Sequence, residues 1–115
     1  MLDQGEAILL RVFIGNDDTY GDLPLSEAIV REAKRVGLAG ATALRGLLGY
    51  GASSAIHRYD GFFSRDLPIV VEIIDTKEKI TSFLPVLERM MHGGLVTTQQ
   101  LRIERAVQKM PPPVR

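Results

Sequence analysis

Pro68-Ile69-Val70-Val71-Glu72-Ile73-Ile74 is the stretch on which the fold turns. Valine and isoleucine lose side-chain freedom in a helix and pack well on a pleated surface, so a run this rich in β-branched residues reads as a strand. Apolar residues fall on both of its faces, which places it inside a sheet with something packed against each side.

Downstream, Asp75 stands where it can cap a helix, with Glu78 at the capping-box position. Ile80, Phe83, Leu84, Leu87 and Met91 then recur at helical spacing as a buried stripe. Pro85 lacks an amide hydrogen and crowds the preceding turn, so a kink or a break is expected there. Gly93-Gly94 ends the helix, and residues 95–107 read as a last strand in which Leu101, Ile103 and Arg105 alternate with Arg102 and Glu104. The end, Met110-Pro111-Pro112-Pro113-Val114-Arg115, can continue neither ladder nor helix, so residues 108–115 are expected to form a flexible Pro-rich tail.

Upstream, residues 7–14 form a strand with Ile8, Leu10, Val12 and Ile14 on one face and Leu9, Arg11 and Phe13 on the other. Residues 1–6 are polar and read as a flexible start. Gly15-Asn16-Asp17-Asp18 breaks the strand, and Pro24 suits the opening of a helix. Over residues 25–36, Leu25, Ala28, Ile29, Ala33 and Val36 face inward, while Glu27, Arg31, Lys34 and Arg35 face outward. Gly37 stops that helix, and residues 41–45 make a short second strand.

The order strand, helix, strand, strand, helix, strand over residues 7–107 predicts one α+β domain, a ferredoxin-like βαββαβ sandwich with a long loop between strands 2 and 3. Helices cover one side of such a sheet, so the other should be polar in a lone chain. Here it would carry Leu9, Phe13, Val70 and Ile74. Leaving them wet forgoes about 1.5–3 kcal/mol for each large side chain. Self-association is therefore expected, with Arg11 and Glu72 on adjacent strands as a candidate ion pair.

Composition narrows the function. Fourteen basic residues balance fourteen acidic ones among 115, which leaves no net field to draw nucleic acid or an anionic membrane surface. The absence of cysteine removes disulfide frameworks, thiolate zinc sites and cysteine nucleophiles. No apolar run approaches the length of a membrane span, so a cytoplasmic protein without membrane insertion is expected.

Residues 46–67, about twenty of them, join two strands that a hairpin of roughly two to five residues would connect. Loops of that length in a small domain usually carry function. Gly46, Gly49 and Gly51 permit close backbone approach, and Arg45, His57, Arg58 and Arg65 are nearby cationic donors, a combination suited to an anion. The glycine spacing is neither a dinucleotide fingerprint nor a phosphate loop. Tyr50, Tyr59, Phe62 and Phe63 can stack on a base or pin the loop to protein. His57 has Ser53 and Ser54 close in sequence but no carboxylate placed to orient it as a base, which disfavours a hydrolytic triad. Asp17, Asp18 and Asp22 lack calcium-loop spacing and read as a solvated turn, and His57 and His92 alone do not make a metal site.

Phe13-Ile14-Gly15, Leu38-Ala39-Gly40-Ala41-Thr42-Ala43-Leu44-Arg45-Gly46 leading to Gly49-Tyr50-Gly51, Asp66 to Asp75, Phe83-Leu84-Pro85 and Gly94-Leu95-Val96 form a set of segments in fixed order. Together they resemble the PII-like proteins of the domain-of-unknown-function 190 family. The resemblance spans roughly residues 7–105 and implies a homotrimer that binds effectors in clefts between subunits and uses its long loop to contact a protein target, such as a membrane transporter. Arg45, Gly46, Gly49 and Gly51 match the pattern that opens the loop, and Ile56-His57 the apolar-histidine step after it. Gly93-Gly94 falls where PII proteins place a phosphate-contacting loop, without that loop's longer glycine and lysine signature. Asn16, where glutamate is usual, and the interior from Arg58 to Phe63 depart from the family pattern. The expectation is a ligand-responsive signalling protein rather than an enzyme, taking a small anionic metabolite such as an adenine nucleotide through Arg45, Gly46, Gly49, Tyr50, Gly51, His57, Arg58, Gly93 and Gly94. The alternatives are an oligomeric interaction protein with no small ligand and a small enzyme using His57 as base.

Overall fold

The computed structural model describes residues 2–51, 55–60 and 66–107. Along the chain run β1 (Gly5–Gly15), a ribbon of β2 (Thr19–Tyr20) and β3 (Leu23–Pro24), helix α1 (Leu25–Arg35), β4 (Thr42–Arg45), a second ribbon of β5 (Leu48–Gly49) and β6 (His57–Arg58), β7 (Pro68–Asp75), helix α2 (Lys77–Met90) and β8 (Leu95–Ile103). The order across the main sheet is β4-β7-β1-β8, every neighbour antiparallel. Set the two ribbons aside and the predicted βαββαβ order stands, a ferredoxin-like α+β sandwich.

Alternation along the strands decides which face meets the helices. Leu10, Val12 and Ile14 of β1 and Ile69, Val71 and Ile73 of β7 turn to one side, where they pack with Ile29 of α1 and Ile80, Phe83 and Leu87 of α2. All of these are buried. Register in β1 and β7 pairs Leu9 with Ile74, Arg11 with Glu72 and Phe13 with Val70, and this second set points away from both helices. Arg11 Nε lies 2.8 Å from Glu72 Oε2, the ion pair expected from sequence. Phe13 and Ile74 remain 37% and 36% exposed and Val70 is half-buried, whereas Leu9, expected to lie wet on this face, is buried. The open face is thus apolar around a central charge pair but less exposed than the sequence implies.

Helix ends follow local chemistry, with corrections: Val36, expected to face inward, is the C-cap of α1 and exposed, and Met91, expected in the buried stripe, is the half-buried C-cap of α2. Gly37 takes φ +85 beyond α1, where Leu38 N donates to Ala33 O at 3.0 Å. The cap of α2 is Thr76, not Asp75: the Thr76 side chain accepts from Lys79 N at 3.3 Å. Asp75 is instead the last residue of β7 and is buried. Its two oxygens accept from Ala39 N at 2.8 Å and Thr76 N at 2.7 Å, which ties the connection between α1 and β4 to the sheet. A buried carboxylate needs such donors, and only the fold brings Ala39 to it.

α2 also runs unbroken through Pro85. Thr81, whose carbonyl loses its usual donor, is exposed, as is Pro85 itself, so water can take the place of the missing amide. The strand bounds shift modestly. β1 begins at Gly5 because Gly5 and Glu6 pair with Ile103 and Arg102, and β8 stops at Ile103 rather than running to residue 107. The predicted tail, residues 108–115, lies outside the described residues.

Candidate functional site

The stretch between β4 and β7 opens with a tight approach. Gly46 N donates to Pro68 O at 2.7 Å, continuing the β4–β7 ladder one step, and a Cβ at Gly46 or Gly49 would come within 2.8 Å or 3.0 Å of the Pro68 ring. These two glycines therefore let the outgoing chain pass over the start of β7. β5 and β6 then pair Leu48 with Arg58 and Gly49 with His57, and Tyr59 N donates to Leu47 O at 2.7 Å. This ribbon was not legible as strands in sequence. It turns His57 back toward the end of the sheet while leaving Leu47, Leu48, Tyr50, Ile56 and Tyr59 largely exposed.

A pocket of about 530 Å³ lies where β1 ends, β7 begins and α2 turns into β8. Gly49, Tyr50, Gly51 and His57 line it from the long loop, His92, Gly93 and Gly94 from the α2–β8 turn, and Phe13, Gly15, Asp17, Asp18 and Asp66 from the sheet end. Its volume falls within the roughly 300–1,000 Å³ usual for small-molecule sites. Segments more than forty residues apart in sequence thus share one cavity. Gly94 has φ +101, and a Cβ there would sit 2.5 Å from the Phe13 carbonyl oxygen, so the turn can close against β1 only with glycine.

Of the residues singled out in sequence, Gly49, Tyr50, Gly51, His57, Gly93 and Gly94 come together on this wall, whereas Arg45, Gly46 and Arg58 do not line it. Arg45 ends β4 opposite Ile69, and Arg58 is an exposed residue of β6. Ser53, Ser54, Phe62, Phe63 and Arg65 lie outside the described residues.

Sequence reasoning missed Asp66. Its Oδ1 accepts from Asp17 N at 3.0 Å and its Oδ2 lies 3.9 Å from His57 Nε2, so a carboxylate does stand beside His57. Asp66 follows the histidine by nine residues outside any strand pairing, and the return of the chain to β7 brings the two together. Asp18 supports the same corner: its Oδ2 accepts from Gly15 N at 2.8 Å. The acidic turn read as merely solvated therefore builds one wall of the pocket. Among the described residues, no group of three or more His, Asp or Glu side chains is placed to hold a metal ion.

Residues 7–103 match the family model DUF190, described as "Uncharacterized ACR". The chain belongs to the DUF190 family. It is similar to a UPF0166 protein of Aquifex aeolicus, 38% identical over 96 residues that cover 83% of this chain and 90% of that one. It is also similar to a UPF0166 protein of Methanocaldococcus jannaschii, 31% identical over 93 residues covering 79% and 85%. Among solved structures the fold is similar to CPII, a nitrogen regulatory PII-like protein from Thiomonas intermedia K12 bound to ADP, AMP and bicarbonate. That match has TM-score 0.60 and 19% identity over 87% of this chain and 90% of that one. A second CPII structure from the same organism, bound to ADP and bicarbonate, gives TM-score 0.57 and 20% identity over 87% and 90%. The DUF190 chain thus has the PII-like fold.

Proposed function

We propose that this DUF190 protein is a PII-like regulator that binds a small anionic metabolite, an adenine nucleotide being the favoured class, in the pocket between the loop base and the α2–β8 turn. One observation carries the reading. Tyr50 and the glycines around it, His57, and the Gly93-Gly94 turn converge on a single cavity although they come from separate segments of the chain with β7 and α2 between them. An aromatic ring can stack on a base, backbone amides and a histidine can meet an oxyanion, and Gly51 and Gly93, with open space where a side chain would stand, admit a ligand to the backbone. The CPII structures of the same fold hold ADP with bicarbonate, which supports the same ligand class here.

The same reading includes assembly as a homotrimer through the open face. Phe13 supports the link, because it lies on that face and also lines the pocket. A neighbouring subunit covering Phe13 would border the cavity, making it an intersubunit cleft. Signalling would then pass through the ribbon of β5 and β6, whose exposed Leu47, Leu48, Ile56 and Tyr59 offer an apolar surface to a cytoplasmic or membrane-borne protein target. No helix among the described residues is long and apolar enough to cross a membrane, so contact with a transporter would be peripheral.

Isothermal titration and thermal melting of the full chain with ADP, AMP and bicarbonate, alone and combined, test the proposal. Binding to the wild type that Tyr50→Ala and His57→Ala each weaken about tenfold is the expected result, since each removes one contact of order 1 kcal/mol. No binding of any of the three compounds, or equal binding by both variants, removes the pocket from the function.

A further inference from the structure

We infer that the carboxylate of Asp66 is an in-chain competitor for the anion position of the pocket, so that an oxyanion enters by displacing Asp66 and freeing the C-terminal root of the long loop. The inference rests on the ligand-binding reading above and concerns its regulation. Asp66 is the one non-glycine among the described residues with positive φ, at 43°, a backbone region that L-residues enter at a cost and that aspartate tolerates better than most. Its side chain, 35% exposed, spends both oxygens at the pocket wall: Oδ1 accepts from Asp17 N at 3.0 Å and Oδ2 faces His57 Nε2 at 3.9 Å. A backbone amide and an imidazole side by side are the donors an incoming phosphate or bicarbonate oxygen would use.

The fit is made to hold the carboxylate in place. Any Cβ at Gly15 would overlap it, and the next residue is anchored separately, with Asn16 N donating to Leu67 O at 2.8 Å. The hinge therefore lies at Asp66 itself: Leu67 and β7 stay fixed to the end of β1 while the residue before them can leave. Two negative charges cannot share one amide and one imidazole without mutual repulsion, so anion binding and the docked Asp66 exclude each other. Departure of Asp66 relieves its positive φ and detaches the loop's end from the β1–β2 turn. This couples occupancy of the pocket to the backbone at Asp66, where the chain enters β7.

The test compares wild type, Asp66→Asn and Asp66→Gly by titration with ADP and, separately, inorganic phosphate, while NMR follows exchange of the Asp17 amide. Glycine suits the positive φ, so the second variant guards against misfolding of the first. Removing the charge should tighten binding of both probes about tenfold, the effect of losing one near like charge. In the wild type, saturating ADP should shift the Asp17 amide and change its exchange rate. Equal or weaker binding by either variant, with wild-type binding intact, overturns the competitor role and leaves the pocket reading standing. Binding by the variants alone supports the competitor role. Failure of all three proteins to bind either probe overturns both readings.

Discussion

The two faces of the main sheet are built from the same strands and the same residue types, yet they stand in different conditions. On the helix side, Leu10, Val12, Val71 and Ile73 vanish beneath α1 and α2 within a single chain. On the other, Phe13 and Ile74 stay more than a third exposed around the Arg11–Glu72 pair. The contrast teaches that apolar alternation on both faces of a strand describes two different obligations. One is met by the chain's own helices; the other is not met by them. A charge pair in the middle of the open face would restrict which surfaces could cover it without burying an unpaired charge.

The comparison can be broken most forcefully on the helix side. Phe83→Ala removes a buried ring from between α2 and the sheet and should cost about 3–5 kcal/mol of unfolding free energy, read from a shift in denaturant midpoint. A loss below 1 kcal/mol would mean that the helices do not form the principal core. On the open face, Ile74→Glu should leave the folded subunit nearly as stable, within about 0.5 kcal/mol as for ordinary surface changes. It should nevertheless reduce the particle to single-chain mass in light scattering. If the wild type already has that mass at micromolar concentration, the open face has no second copy to meet.

Smaller effects sharpen the distinction further. A double-mutant cycle on Arg11→Ala and Glu72→Ala should give a coupling of about 0.2–1 kcal/mol if the pair faces solvent, and clearly more if an interface covers it. Because the same two residues are measured, the coupling reports the environment of the face and not the pair's geometry. The Glu27–Arg31 pair on the exposed side of α1, one helical turn apart at 2.8 Å, is the internal reference. Its cycle should give only about 0.3–0.5 kcal/mol and decline as salt is raised.

Most of the scaffold was legible because periodicity is a local signal. The β-branched run at Pro68 to Ile74, the helical stripe through Ile80, Phe83 and Leu87, and the alternation from Ile8 to Ile14 each reveal their buried face within one segment. From them came the element order, the open face and the Arg11–Glu72 pairing. Two local signals were outranked by context. Asp75 has the chemistry of a cap, but Thr76 follows it, and the amide of Ala39 arrives from across the fold to satisfy the buried carboxylate. Pro85 is a helix breaker by chemistry, and solvent exposure of its turn makes the missing hydrogen bond tolerable.

The candidate site was half legible for the same reason. Long-loop glycines, Tyr50, His57 and the Gly93-Gly94 turn announce themselves by being more than a connection needs. Asp66 does not, since nothing in its neighbours says that its backbone turns left-handed or that its carboxylate meets Asp17 and His57. Sequence by itself determined the pattern of elements, the two-faced character of the central strands and the family to which they belong. Tertiary structure alone decided which acids, histidines and glycines share a pocket, because that depends on where a chain returns and not on which residues precede or follow.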